Sequence, residues 1–191
     1  MVPDDSDIYT VGNFQAEEEA EKAFDDLFEV HASGLFVLYK QVWCRYDETS
    51  RDCLNKRGRI DRVAVPTQKA IDAGWRSGAF GIECKASQRH LGKLMLQCID
   101  YRLAKFFIPG EQTPTALATI VMWPTQTIKY TSASICDNWR LATMEPYRHK
   151  PENERISIKL GGQTWLAMQN GELLDRVAST DSKGFKAGNR S

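Results

Sequence analysis

Two short apolar segments with charged residues inside them most constrain how this chain can fold. RIDRVAVP (59–66) places Asp61 among branched apolar residues, and FGIECKAS (80–87) places Glu83 and Lys85 two residues apart. Both segments have the length and apolar content of strands. Side chains two apart on a strand share a face, so Glu83 and Lys85 point the same way, and pairing of the two strands would put Asp61 beside them. Unpaired charges on central strands are costly, so charged residues at these positions indicate specific pairing or a function.

The rest of the chain alternates between helical and strand patterns. We predict helices over 16–30 and 90–107, strands over 34–46, 59–66, 80–87 and 115–124, a short helix or irregular segment over 132–144, and a hairpin over 155–174. This order predicts an α/β fold, in which a central mixed β-sheet of about four to five strands is flanked by helices and followed by a C-terminal β-hairpin. We expect residues 1–178 to form a single domain and residues 179–191 a flexible tail.

Composition narrows the functional classes. Lys+Arg and Asp+Glu are both 25, so the formal net charge is zero, which disfavours strong non-specific nucleic-acid binding but allows a basic rim around an acidic site. The five cysteines are an odd number with no C-x-x-C pair, which favours reduced thiols over disulfides or a zinc site. The N-terminus has no apolar signal core, and no apolar stretch approaches the roughly 20 residues of a membrane span. We therefore expect a cytoplasmic protein without a membrane partner.

Asp61, Glu83 and Lys85 together suggest metal-assisted hydrolysis. Two carboxylates side by side make a weak Mg²⁺ site that substrate phosphate and water would complete. A neighbouring lysine could orient or deprotonate the attacking water and offset phosphate charge. The plainer alternative is an exposed strand face with a loose ion pair, which is a common reason for E-x-K on a strand.

The following helix carries a polar stripe. Four residues spaced by four share one side of it: Lys93, Gln97, Tyr101 and Lys105. A second stripe is apolar and is expected to face the core: Leu96, Ile99, Leu103 and Phe106. The polar stripe could support a metal site and contact a phosphate backbone, or it could simply be the solvated side of an amphipathic helix.

Taken together, these motifs resemble the PD-(D/E)XK nuclease superfamily, and within it the RecB-like branch. The resemblance consists of Asp61 on one strand, ECK at Glu83–Lys85 on the next, and QCIDY at Gln97–Tyr101 on the following helix. The resemblance covers roughly residues 16–124. This region is also similar to RecB-like proteins encoded by bacteriophages, for which the compartment would be the host cytoplasm. The proline that gives the family its name is absent, because Ile60 precedes Asp61.

The resemblance implies a restriction-endonuclease-like sandwich that cleaves DNA with Mg²⁺ or Mn²⁺. Asp61, Glu83 and the backbone carbonyl of Cys84 would hold the metal, and Lys85 would position the water. Gln97 and Tyr101 would support the site. Family members often add an acid from the first helix, for which Glu21 is our choice, with Glu17 and Glu18 left open. Some members hold an iron–sulphur cluster, but only Cys136 follows the helix here, so we expect none.

Several further residues are candidates for DNA contacts or for packing. The predicted DNA-binding residues are Arg59, Ser87, Arg89, Lys93, Arg102 and Lys105. His31, at the end of the first helix, is either a metal ligand or a helix-capping group. Trp75 is either a platform for a stacked base or part of the core, and we favour the core.

The expected function is a metal-dependent DNA nuclease, either a RecB-like exonuclease or a structure-selective enzyme of replication, repair or recombination. One alternative is an endonuclease like the Holliday-junction resolvases, which would act as a homodimer. Another is a catalytically silent DNA- or protein-binding module on the same fold. A third is a domain whose charges merely face solvent.

Overall fold

One mixed β-sheet runs through every part of the chain that the computed structural model describes, namely residues 14–46, 57–86, 91–124, 130–147 and 155–174. Nine strands make up this sheet: β1 (Phe36–Tyr46), β2 (Arg57–Pro66), β3 (Phe80–Cys84), β4 (Ala104–Phe106), β5 (Ile120–Trp123), β6 (Leu141–Tyr147), β7 (Arg155–Leu160), β8 (Gln163–Gln169) and β9 (Glu172–Leu173). The helices found in the same ranges are α1 (Glu17–Ala32), α2 (Gln68–Asp72), α3 (Leu91–Arg102) and α4 (Tyr130–Asn138).

The strands lie in the order β4-β1-β2-β3-β5-β6-β7-β8-β9. β3, β5 and β6 pair in parallel and the other neighbours are antiparallel, so the predicted α/β class with a mixed sheet is confirmed. The prediction of four to five strands is wrong. The predicted hairpin is present as β7 and β8, but it continues the main sheet and turns at Gly161–Gly162, while Asn170–Gly171 forms the next turn, into β9.

α1 packs an apolar stripe against one face of the sheet. Ala20, Phe24, Phe28 and Ala32 recur every four residues and are all buried. They join a cluster rich in aromatic side chains, in which Phe24 meets Trp123 edge to face with ring centroids 6.0 Å apart. Trp123 Nε1 also donates a hydrogen bond to the Ala20 carbonyl at 2.9 Å, which fixes the helix over the sheet.

Trp75 lies in the same cluster, so its predicted place in the core is confirmed. Its ring is 1% exposed and packs edge to face on Phe36, Phe80 and Trp165. The indole N–H donates to the Gly78 carbonyl at 2.9 Å, so the one polar atom of this buried side chain has a hydrogen-bond partner.

α3 covers the opposite face of the sheet, and two predictions about it are wrong. The helix ends at Arg102, and residues 104–106 form the edge strand β4 instead of continuing it. The expected core stripe is wrong at two of its four positions, because Leu96 is 65% and Leu103 46% exposed, whereas Phe106 is buried and Ile99 packs against the core. The buried residues of α3 are Leu94, Met95, Cys98 and Tyr101. The helix is therefore turned so that Tyr101 and its neighbour Gln97 face inward.

Two further expectations concern the ends of the domain and the membrane. The predicted flexible tail over 179–191 lies outside the described residues. In the described part of the chain, no helix combines the length and the apolar character that crossing a membrane requires.

Candidate metal centre

Three carboxylates from three elements converge at the end of β3. Glu17 on α1, Asp61 on β2 and Glu83 on β3 each place an oxygen within 4.8 Å of the others. Glu17 is exposed, Asp61 half-buried and Glu83 buried, so the cluster opens to solvent on the side of α1. An all-oxygen donor set of this kind suits hard divalent cations such as Mg²⁺ and Mn²⁺.

Asp61 is held by the backbone of the neighbouring strand. Its Oδ2 accepts a hydrogen bond from the Cys84 N–H at 2.8 Å, and its Oδ1 accepts one from Gln41 Nε2 at 3.4 Å. Gln41 lies opposite Asp61 on β1, where the ladder lacks a pair and Gln41 adopts φ +53°. A non-glycine residue in the left-handed region within a strand is strained, and such strain is concentrated at functional sites.

α3 fixes Glu83. Gln97 Nε2 donates to Glu83 Oε1 at 2.7 Å and to the Tyr101 hydroxyl at 3.0 Å. That hydroxyl donates in turn to the Arg59 carbonyl at 2.7 Å. The Q-x-x-x-Y pair therefore forms a continuous chain of hydrogen bonds from the buried carboxylate to β2.

Glu83 keeps one oxygen free for another partner. The residue is 1% exposed, and its Oε2 has no hydrogen-bond partner among the residues that the structure describes. A buried carboxylate oxygen without a partner is costly, and a bound cation would satisfy it. The residues present therefore fit a divalent metal ion.

Lys85 bridges two of the acids. Its Nζ lies 2.8 Å from Glu83 Oε1 and also forms an ion pair with Glu17. The side chains at positions 83 and 85 thus share a face, as their spacing on the strand predicts.

Burial and mutual repulsion shift the acids of this cluster. Desolvation, with the neighbouring Asp61 charge, raises the pKa of Glu83 to about 8 against the opposing effect of Lys85. Desolvation also raises the pKa of Asp61, although the Cys84 N–H and Lys85 counteract it. Burial lowers the pKa of Lys85, but Glu83 and Glu17 outweigh that effect and place it above its usual value. Lys85 is therefore a charged donor at neutral pH.

The first helix supplies Glu17 to this cluster, while Glu21, our choice from the sequence, lies one turn further along. Glu21 Oε2 pairs with the buried guanidinium of Arg62 at 2.9 Å. Arg62 also binds Asp25, through Nε at 2.8 Å. Glu21 still acts on the centre by its charge, which contributes to the raised pKa of Asp61.

The predicted DNA-binding residues lie in different surroundings. Lys93 is exposed on α3, and Arg59 and Lys105 are exposed on β2 and β4. Arg102 turns away to backbone carbonyls, donating to Trp139 at 3.2 Å and also to Leu117. Ser87 and Arg89 lie outside the described residues.

Two other predicted site residues contribute differently from expectation. Cys84 joins the site through its N–H to Asp61, while its side chain is buried in the core, and its role as a carbonyl ligand stays a prediction. His31 is buried beside the β8–β9 turn, where Nδ1 accepts from the Asn170 N–H at 3.4 Å. It does not belong to the acidic cluster found in the described ranges.

Sequence reasoning missed Gln41, Asp25 and Arg62. A signal for the helix residues exists, since Glu17, Glu21 and Asp25 are spaced by four and form one acidic stripe. Gln41 carries no such signal, because only the pairing of β1 with β2 places it opposite Asp61.

No protein-family model, curated protein or solved structure matches the chain. The likeness to PD-(D/E)XK nucleases therefore depends on the motif residues of the sequence alone.

Proposed function

We propose that the chain is a metal-dependent nuclease that hydrolyses phosphodiester bonds in DNA. The observation that carries the proposal is the convergence of Glu17, Asp61 and Glu83 within 4.8 Å, with Lys85 Nζ against two of them. An exposed ion pair on a strand would not explain this arrangement, because Glu83 is buried and its second oxygen lacks a partner within the described chain. DNA as the polymer follows from the resemblance to PD-(D/E)XK nucleases.

Each residue has a distinct task in this proposal. Glu17, Asp61 and Glu83 would hold Mg²⁺ or Mn²⁺, which when bound would polarise the phosphodiester and lower the pKa of a bound water. Lys85 would orient the attacking water as a charged donor and offset charge on the phosphate, since its raised pKa disfavours a role as base. Gln97 holds Glu83 in place from the buried side through its bond to Oε1.

The position of Gln97 and Tyr101 supports a RecB-like enzyme over a solvent-facing coincidence. The two side chains connect the buried carboxylate with the strand that carries Asp61, so they stabilise the relative position of two proposed metal ligands. We therefore propose an exonuclease or structure-selective nuclease. The resolvase-like alternative differs in substrate and in its requirement for a homodimer.

A cleavage assay tests the proposal. Linear, circular, single-stranded and four-way-junction DNA are incubated with the protein in Mg²⁺, Mn²⁺ or EDTA. We expect cleavage that EDTA abolishes and that Lys85→Ala lowers by about 100-fold or more. Lys22→Ala is the matched control, because Lys22 also pairs with an acid, Asp26, but lies on the outer side of α1.

The pattern of substrates separates the subclasses. A need for a free DNA end indicates the exonuclease, and junction cleavage by a dimer indicates the resolvase. Absence of cleavage by the wild type on all substrates would favour the silent binding module. Cleavage that Lys85→Ala leaves intact would show that the proposed residues are the wrong ones.

A further inference from the structure

Six side chains form an exposed patch beside the acidic cluster, at the edge of the sheet. The patch, which we call the edge patch, comprises Trp43 and Arg45 of β1, Arg57 and Arg59 of β2, Lys105 of β4, and Phe107 just after it. All six are exposed, while the alternate residues Val42, Cys44, Ile60 and Phe106 are buried under α3. Strand alternation therefore puts the six on the face opposite α3.

The register of the three strands arranges the edge patch in two rows. Arg45 pairs with Lys105 on one side and with Arg57 on the other. Trp43 pairs with Arg59, and its carbonyl accepts a hydrogen bond from the Phe107 N–H at 2.9 Å. One row is thus three cations, and the next is two aromatic rings and an arginine.

The row of cations brings like charges together on three neighbouring strands. Like charges directly opposite each other on neighbouring strands destabilise a sheet, and here the repulsion acts between both pairs of the row. The chain as a whole has zero net charge, so this row is a local concentration of positive charge. Exposed cations in a row attract a polyanion that lies along them.

The aromatic row indicates which polyanion fits. Trp43 is 54% and Phe107 49% exposed, which is unusual for side chains of this size. The guanidinium of Arg59 lies over the Trp43 ring, 5.5 Å from its centre, and so covers one face of the ring. Exposed aromatic rings beside cations are how proteins bind single-stranded nucleic acids, by stacking on the bases and pairing with the phosphates.

The edge patch also lies next to the proposed metal centre. Arg59 precedes Asp61 by two residues on β2, roughly 7 Å along the strand. A strand bound on the edge patch would therefore run close to the carboxylates.

We propose that the edge patch binds a single-stranded segment of nucleic acid. Phosphates lie along Lys105, Arg45 and Arg57, and bases stack on Trp43 and Phe107. Duplex DNA fits less well, because its bases are already stacked inside the helix and leave the aromatic row without a partner. The delivery of this strand to the metal centre rests on the proposed nuclease function, but the binding itself does not.

Binding in EDTA tests the edge patch without any cleavage. The probe is a fluorescein-labelled oligothymidylate of about 20 nucleotides, followed by anisotropy, with the matching duplex and an oligouridylate in parallel. We expect the single strands to bind more tightly than the duplex. The comparison of deoxyribose and ribose strands names the polymer that the edge patch prefers.

The variants separate stacking from charge. We expect Trp43→Ala to weaken binding by about 10-fold, and Trp43→Phe to retain most of the affinity because a ring remains. The double change Arg45→Ser with Arg57→Ser should reduce the slope of log affinity against log salt by about 1.4. Trp139→Ala, at another exposed tryptophan, and Lys22→Ser serve as controls and should change neither quantity.

Two outcomes would overturn the proposal. One is equal or tighter binding of the duplex, and the other is wild-type affinity in Trp43→Ala, which would leave only a general attraction of polyanions. Failure of the edge patch and failure of the nuclease function are distinguishable. Binding of single strands without any cleavage would support the edge patch and contradict the nuclease function. Cleavage by a protein whose affinity is unchanged in Trp43→Ala would support the nuclease function and contradict the edge patch.

Discussion

At the scale of single residues, three acids spaced by four on α1 each meet a cation on the sheet. Glu17 pairs with Lys85, Glu21 with Arg62, and Asp25 with both Arg62 and Lys40. Arg62 is buried between them and also donates to the Asp61 carbonyl at 2.8 Å. This stripe of ion pairs sets the position of α1 along the sheet, and thereby places Glu17 beside Asp61 and Glu83.

Removal of Arg62 tests this role. We expect Arg62→Ala to lower the free energy of unfolding by about 3 kcal/mol, because it leaves Glu21 partly buried without its partner and Asp25 with Lys40 alone. The exposed pair of Lys22 and Asp26 should contribute less than about 1 kcal/mol, so Lys22→Ala is the control. Urea denaturation measures both variants, and equal small losses would contradict the account.

Glu83 gives the protein a specific dependence on pH in the absence of metal. Its folded-state pKa of about 8 lies above its ordinary value of 4.5, so between these values the folded state binds the proton more tightly than the unfolded state. The stabilisation is therefore complete below about pH 4.5 and is lost as the pH rises through about 8.

Glu83→Gln removes this titration while keeping an oxygen for Gln97. In EDTA, we expect the variant to gain stability relative to wild type as the pH rises from about 5 to 8, by an amount on the order of 3 kcal/mol. Urea denaturation across that range gives the difference. Parallel pH profiles of the two proteins would show that folding does not raise the pKa of Glu83.

At the scale of elements, β3 lies between the core under α1 and the core under α3. On the side of α3 there is no space for a side chain at position 81. Gly81 lies there opposite Val63 of β2. A Cβ at Gly81 would come within 2.5 Å of Ile60 and 2.8 Å of Leu117, both in the core under α3. The close approach of these side chains explains why a glycine precedes Glu83 in a strand that is otherwise large and apolar.

Two glycine-to-alanine changes test this packing. We expect Gly81→Ala to destabilise the protein by about 1–3 kcal/mol, because the core must move aside. Gly92→Ala, in the first turn of α3, is the matched change, since nothing lies within 4 Å of its added Cβ, and it should stabilise the helix by no more than about 0.5 kcal/mol. Thermal melting measures the sign of the stability change in each variant. A Gly81→Ala protein as stable as wild type would contradict the described packing.

At the scale of the whole molecule, local patterns predicted the site better than the sheet. Alternation and spacing placed Glu83, Lys85, Gln97 and Tyr101 correctly relative to one another, because i+2 and i+4 neighbours are fixed by a single element. The edge strand β4 and the rotation of α3 could not be read in this way. Both depend on tertiary contacts. The apolar residues that follow Arg102, for example, are compatible with a strand as well as with a helix.

Calorimetric titration with Mn²⁺ measures whether the carboxylates of Glu17, Asp61 and Glu83, from three separate elements, bind one divalent metal ion. We expect wild type to bind and Glu17→Gln, Asp61→Asn and Glu83→Gln each to weaken binding by at least about 10-fold. Asp26→Asn, on the outer side of α1, should bind as wild type does. No binding by wild type, or equal binding by all three cluster variants, would contradict the account.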